Sequence, residues 1–464
     1  GTSGTGTGNN NNGIALKEAS IIESLSGTIG IDGTAINGID NNVGVQVTGS
    51  GTRISGGTSA VQVVGQGAIG ATGSENHGIE VANGAVIENT TIGTLSILSV
   101  GGNGLDNNSG IFLSGTSTRV QSVDGNLTIL GIGADTTGSL NAGIAINGAQ
   151  INTSGTANID LNGTPGNTAS SAISFTTFDD RVTAFGSGGI TLTATGGPLT
   201  SPAGIAPLPP FGDPFIIGGF SNITINGEVQ TGNTITGPGQ LPILSFGTIA
   251  LTSGNTLTIP INDITTPGVD YGQLLAGGAL DITNTNLNLV DGIAGVVPNG
   301  TVITLIDKNG TPVTGTFNGL PNGAIVPFNG QNFIINYTGG AGSDVTLTEN
   351  SLCAAFTTNI VYVDINATQG FGEPPFLQKA FTISFRNGVV YANNNIVGLG
   401  DSGNGFGIDV GEYDAYDMIL DVYHDVDGFE TFDVYQIDFN TIELYNPNND
   451  TSYFLEGYQR NNFD

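Results

Sequence analysis

The chain has 464 residues, 76 of them glycine, with 8 Lys or Arg against 39 Asp or Glu and a net charge of −31. Charged residues make up 10%, well under the roughly 25% usual for globular proteins, and 38% hydrophobic residues are too many for a disordered acidic polymer. An all-helical protein, a collagen and a disordered tail are excluded, and the charge opposes binding to nucleic acid or anionic membranes.

Lys, Glu, Arg, Met and Leu are scarce while Gly, Thr, Asn, Ile and Val abound, which favours turns and strands over helices. One cysteine, Cys353, allows neither an intrachain disulfide framework nor a thiolate metal cluster. No apolar run reaches the roughly 18 residues of a membrane-spanning helix. The sequence opens at Gly1 without a signal peptide, as a processed secreted protein or a trimmed fragment would.

In chain order, the first segment is GTSGTGTGNNNN, a Gly/Asn string that would be mobile in a free monomer. Gly1, Asn9, Asn10, Asn11 and Asn12 are therefore expected to be assembly residues, held by a neighbouring subunit. A repeat follows. Gly or Ala plus a β-branched residue opens a cassette at Gly13, Gly44, Gly78, Gly110, Gly143 and Ala172, with spacings of 31, 34, 32, 33 and 29. Asn42, Asn76, Asn108 and Asn141 each stand two residues ahead of a cassette. Two further short strand signals fall in each period, such as NGAVI (83–87) and GTLSI (93–97).

One such coil cannot bury its own Ile, Val and Leu side chains, but stacked coils share a continuous core. The expected fold class is all-β: a parallel β-helix, right-handed by the crossover rule, of about 32 residues per coil, followed by a C-terminal antiparallel β domain. Ile14, Val45, Ile79, Ile111, Ile144 and Ile173 should stack on one inner face. The expected domains are 1–197 for the β-helix repeats, 198–220 for a Pro-rich linker or loop, 221–350 for continuing and closing β repeats, and 351–464 for an acidic, Tyr-rich antiparallel domain. The linker assignment rests on prolines 198, 202, 207, 209, 210 and 214, which cannot form a central strand.

The segments VDYGQLL (269–275), TLIDKNG (304–310), GTFNGLPNGAIV (315–326) and INYTGGAGSDVTLT (335–348) resemble the autotransporter-associated β-strand repeats of large secreted bacterial surface proteins. More loosely, residues 1–260 resemble the β-helical passengers of autotransporters and filamentous-haemagglutinin-like adhesins. Autotransporters end in a membrane β-barrel, and the residues after 350 are too few and too acidic for one. Beyond 350 lie nine of the 11 tyrosines and 17 of the 39 acidic residues, which marks a change of domain. That region has a faint likeness to uncharacterised lipocalin-like secreted domains, which carries no activity over. Its Asp427-Gly428 pair signals a hairpin.

Candidate chemistry is sparse. Asp421, Asp425, Asp427 and Glu430 form a carboxylate cluster suited to Ca²⁺, the one cofactor considered. Aligning Asp425 and Asp427 as loop positions 3 and 5 of an EF-hand leaves Tyr423 and Val434 where acids are needed, which excludes an EF-hand and favours a solvated hairpin tip over a metal site. Asp179-Asp180 beside Arg181 resembles the acid clusters of β-helical pectin-degrading enzymes, but neighbours on a strand point to opposite faces. His77, His424 and Cys353 lack a partnering nucleophile motif and read as structural.

The expectation is a non-enzymatic, extracellular, cell-surface structural or adhesive protein, a subunit of a head-to-tail homopolymer. A cell-surface or extracellular polysaccharide is the other partner class, with no nucleic acid and no membrane span. The alternatives are a β-helical polysaccharide lyase or hydrolase, a monomeric stalk, and an ice- or polymer-binding solenoid.

Overall fold

The alternation of β-branched residues with small polar ones gives each strand one apolar face, and the three strands of a period cannot close a core without neighbours. The computed structural model describes residues 1–203, 216–233, 237–309, 312–340 and 342–349, and from 354 onward only the backbone of its strands. Among the described residues there is no helix. About nine turns, some 32 residues apart, stack as a parallel β-solenoid.

The first column of strands runs through Ile14–Leu16, Val45–Thr48, Ile79–Ala82, Ile111–Ser114, Ile144–Asn147 and Ile173–Phe175. It continues through Leu199–Thr200, Glu228–Gln230, Thr256–Ile261 and Asn286–Asp291. Ile14, Val45, Ile79, Ile111, Ile144 and Ile173 are successive register partners, as the cassette spacing predicts. In the second column Ile54, Ile87, Val120, Ile151, Val182 and Ile217 are in register, and in the third Ile31, Val63, Ile97, Ile129, Leu161, Leu192 and Ile225. Nearly all are fully buried, each worth about 1.5–3 kcal/mol relative to exposure. They form one apolar spine.

Leu199–Thr200 and Ile217–Gly219 fall inside the segment expected to be a linker, yet both are rungs of the ladder. Prolines 198 and 202 flank the first of these strands rather than interrupt it, which is where proline is tolerated. Prolines 207, 209, 210 and 214 lie outside the described residues. Farther on, Gln240–Leu251 serves two columns at once, pairing first with Ile217–Gly219 and then with Ile223–Asn226. The parallel order ends where Val302–Asn309 pairs antiparallel with Asp344–Glu349.

The chain divides into two units: residues 1–297, 301–329 and 334–348 in one, and 298–300, 330–333 and 349–464 in the other. The second contains a four-stranded antiparallel sheet of Ala354–Asp364, Gln378–Arg386, Val389–Gly398 and Tyr413–Asp414. A five-stranded antiparallel sheet holds Ile408–Asp409, Met418–His424, Gly428–Gln436, Thr441–Asn446 and Thr451–Glu456.

Candidate functional site

The asparagines ahead of the cassettes form an internal ladder. Asn42 N donates to Asn76 Oδ1 at 3.0 Å, Asn76 N to Asn108 Oδ1 at 2.9 Å and Asn108 N to Asn141 Oδ1 at 2.8 Å. All four are fully buried, so each side chain satisfies a backbone N–H that would otherwise be orphaned at a corner. The residue before each rung has positive φ: Asn41 (57°), Glu75 (63°), Asn107 (58°) and Leu140 (60°).

The same geometry explains residues 1–12. Asn11 N donates to Asn42 Oδ1 at 2.9 Å, which makes Asn11 the first rung, two residues ahead of Gly13. Asn10, before it, has φ 62°. Asn9 Nδ2 donates to Asp40 Oδ2 at 3.4 Å, Asn10 N to the Asp40 carbonyl at 3.2 Å, and Val43 N to Asn12 Oδ1 at 2.9 Å. Thr34 N donates to the Gly1 carbonyl at 2.8 Å. Within this chain the Gly/Asn string is therefore held by its own coils, through the repeat's own corner chemistry.

The outward-facing middle position of the first column forms the row Ala15, Gln46, Glu80, Phe112, Ala145, Ser174 and Thr200. Its first part is polar: Asn12 Nδ2 donates to Gln46 Oε1 at 2.8 Å, and Gln46 Nε2 to Glu80 Oε2 at 2.6 Å. Burial pushes the Glu80 carboxyl above the usual carboxylate range, with the Gln46 hydrogen bond pulling back. On the next coil Phe112 stacks on His77, with centroids 4.7 Å apart and planes at 17°. His77 is buried and its Nδ1 accepts from Ser109 N at 3.2 Å. Desolvation lowers its pKa to about 3, so the imidazole is neutral at physiological pH.

Beyond Phe112 the row shrinks to Ala145 and Ser174, which opens a slot of about 200 Å³. Asn107, Leu140, Asn147, Ser171 and Thr176 are also in its lining. Ser171 Oγ and Thr200 Oγ1 are 2.9 Å apart, and Thr200 Oγ1 donates to Ser174 Oγ at 3.4 Å, so the two lining serines are joined through the threonine hydroxyl of the next coil. None of the lining residues is charged.

The acidic pair is split: Asp179 is exposed and Asp180 fully buried. The Asp180 carboxylate accepts from Thr176 N at 2.7 Å, Thr177 N at 2.9 Å and Thr177 Oγ1 at 3.1 Å, and also from Gly148 N of the preceding coil. It clamps a turn. Arg181 donates from Nη1 to the Asp180 carbonyl at 2.7 Å.

Asp421 and Glu430 sit on adjacent antiparallel strands, one register position apart, whereas Asp425, Asp427 and Cys353 lie outside the described residues. His424 ends Met418–His424, opposite Gly428. Among the described residues no three His, Cys, Asp or Glu side chains group as a metal site, and no helix is long and apolar enough to cross a membrane.

The fold defines the class of protein: a parallel β-solenoid repeat protein. No known family matches the sequence, and no curated protein matches it.

Proposed function

We propose that this is an extracellular, cell-surface structural or adhesive protein without enzymatic activity, whose solenoids join head to tail into a homopolymer. The observation that supports this best is the ladder of coils, about nine parallel turns in register. Ile14–Leu16 and Ile21–Ser24 each pair with the second coil on one side only. Ile14, Leu16 and Ile22 are half-buried there, although Val45, Val47 and Ile54 one coil on are fully buried. Where such a coil ends a solenoid, its unpaired edges recruit further strands. A copy added through an unlike surface makes a heterologous contact, which propagates as a filament unless its rotation closes a ring. The scarcity of basic residues (5 before residue 350) and the single cysteine fit an exported scaffold better than an enzyme for acidic polymers.

Electron microscopy of the purified chain tests this. Filaments are expected, and deletion of residues 1–12 should alter or abolish them, since Asn9 to Asn12 shape the end coil. Monodisperse particles at all concentrations would overturn the polymer, and identical fibres from the truncated chain would overturn a role for this segment.

A further inference from the structure

We infer that the slot beyond Phe112 is a binding subsite for one uncharged sugar ring of a neutral glycan. The inference deepens the adhesive reading above and rests on it only for the ligand's being presented on a surface.

The register makes the slot. Phe112 and Ala145 occupy the same outward position on successive coils, so the ladder puts them about 4.8 Å apart along the axis. His77 covers one face of Phe112, and the cavity lies on the other side, over Ala145 and Ser174. Ala145 is where an aromatic side chain is missing from a stack that His77 and Phe112 have begun. A flat ring entering there continues the stack, with its apolar face against Phe112.

The surrounding atoms select what kind of ring. Ser171 and Ser174 share hydrogen bonds with Thr200, and Thr176 Oγ1 donates to the Ile146 carbonyl at 2.9 Å, so an all-apolar occupant would strip water only from the remaining lone pairs of these hydroxyls. Those lone pairs accept and the Asn147 amide both donates and accepts, the complement of a polyol. An anionic ring is disfavoured twice: no cationic side chain lines the slot, and the chain carries −31. A cationic ring would find no carboxylate in the lining to replace its hydration. At about 200 Å³ the slot is smaller than the roughly 300–1,000 Å³ sites that enclose drug-sized ligands, which suits one ring of a longer chain lying over the groove.

The test is calorimetric and NMR titration of the whole chain with neutral methyl hexosides, methyl glucuronide and indole. At least one neutral hexoside should bind with a Kd on the order of 1 mM, with its ring protons close to an aromatic side chain in saturation-transfer spectra. Methyl glucuronide should bind about tenfold more weakly or less. Ala145→Phe fills the slot with the residue the preceding coil already carries, and should weaken hexoside binding at least about tenfold with an unchanged melting temperature. If that variant fails to fold, Phe112→Ala serves in its place, with the same expected loss. No hexoside binding at any accessible concentration, binding unaffected by the folded variant, or binding of indole alone would overturn the assignment. A chain that forms fibres but binds no hexoside refutes the subsite and leaves the structural role standing. Hexoside binding by a chain that never assembles refutes the polymer and leaves the subsite.

Discussion

Asp180 shows how one side chain can serve the fold at the expense of its own solvation. Four donors converge on its carboxylate, and none of the four is a basic side chain. Those donors favour the ionised form, but burial outweighs them and pushes the pKa up to about 6. A carboxyl that titrates higher in the folded chain than in the unfolded one binds its proton preferentially when folded. Its contribution to stability is therefore full at acid pH below the unfolded value and is lost as pH rises toward 6. The difference amounts to about 3 kcal/mol between these limits. Asp180→Asn has no proton to exchange there and loses an acceptor facing its donors, so it should be less stable than the parent. The gap should widen as pH falls from about 6 to about 4. Denaturant titrations of both proteins at the two pH values measure this, and a gap independent of pH would show that Asp180 titrates normally.

At the scale of the element, the cassette glycines are needed for close approach. A Cβ on Gly110 would sit 2.5 Å from Ile132 N and 2.6 Å from the Gly143 carbonyl oxygen, where the third column of its coil returns toward the next cassette. Those atoms are backbone held in ladders, so they cannot step aside. Gly110→Ala should destabilise the chain by about 1–3 kcal/mol, the cost of overpacking, read as a drop in melting temperature. Gly143 is as tight, a Cβ there meeting Thr164 N at 2.4 Å and the Ala172 carbonyl oxygen at 2.7 Å, so Gly143→Ala should cost as much although Ala172 stands at the matching position of the sixth cassette. This cassette was legible in the sequence because glycine, the β-branched residue and the period recur together. Asn11 reads from sequence as an assembly residue and not as a rung, although it precedes Gly13 as Asn42 precedes Gly44, because a run of four asparagines hides which one is the rung. The slot was missed for another reason. Its signal is the variable second residue after each cassette's opening Gly or Ala (Gln46, Glu80, Phe112, Ala145, Ser174), and a cavity appears only when these are lined up across coils. Leu199–Thr200 escaped notice because nearby prolines argue against a strand, although proline is permitted just outside one.

In the whole solenoid each coil touches only its neighbours, so stability is close to a sum of coil and interface terms. An inner coil such as the one holding Ile111–Ser114 has two interfaces, with Ile79–Ala82 on one side and Ile144–Asn147 on the other. The first coil has one interface along Ile14–Leu16 and Ile21–Ser24, and its apolar residues are half-exposed. Opening should therefore begin there and move inward, as local unfolding at free energies below the global value. Hydrogen exchange on dilute protein should show the least amide protection in Ile14–Ser24, rising through Val45–Thr48 to a plateau by Ile111–Ser114. If copies stack on the first coil, the same peptides gain an interface in the assembled material. Their protection should then climb to the plateau, while that of the inner coils stays as it was. Assembly should also weaken at low ionic strength, because each subunit brings −31 charges that salt screens within about 10 Å at 0.1 M. Exchange in dilute and assembled samples, at two salt concentrations, measures both effects. A first coil as protected as the inner ones in dilute protein would mean that its single interface suffices, and the thermodynamic drive for end-to-end addition would be gone.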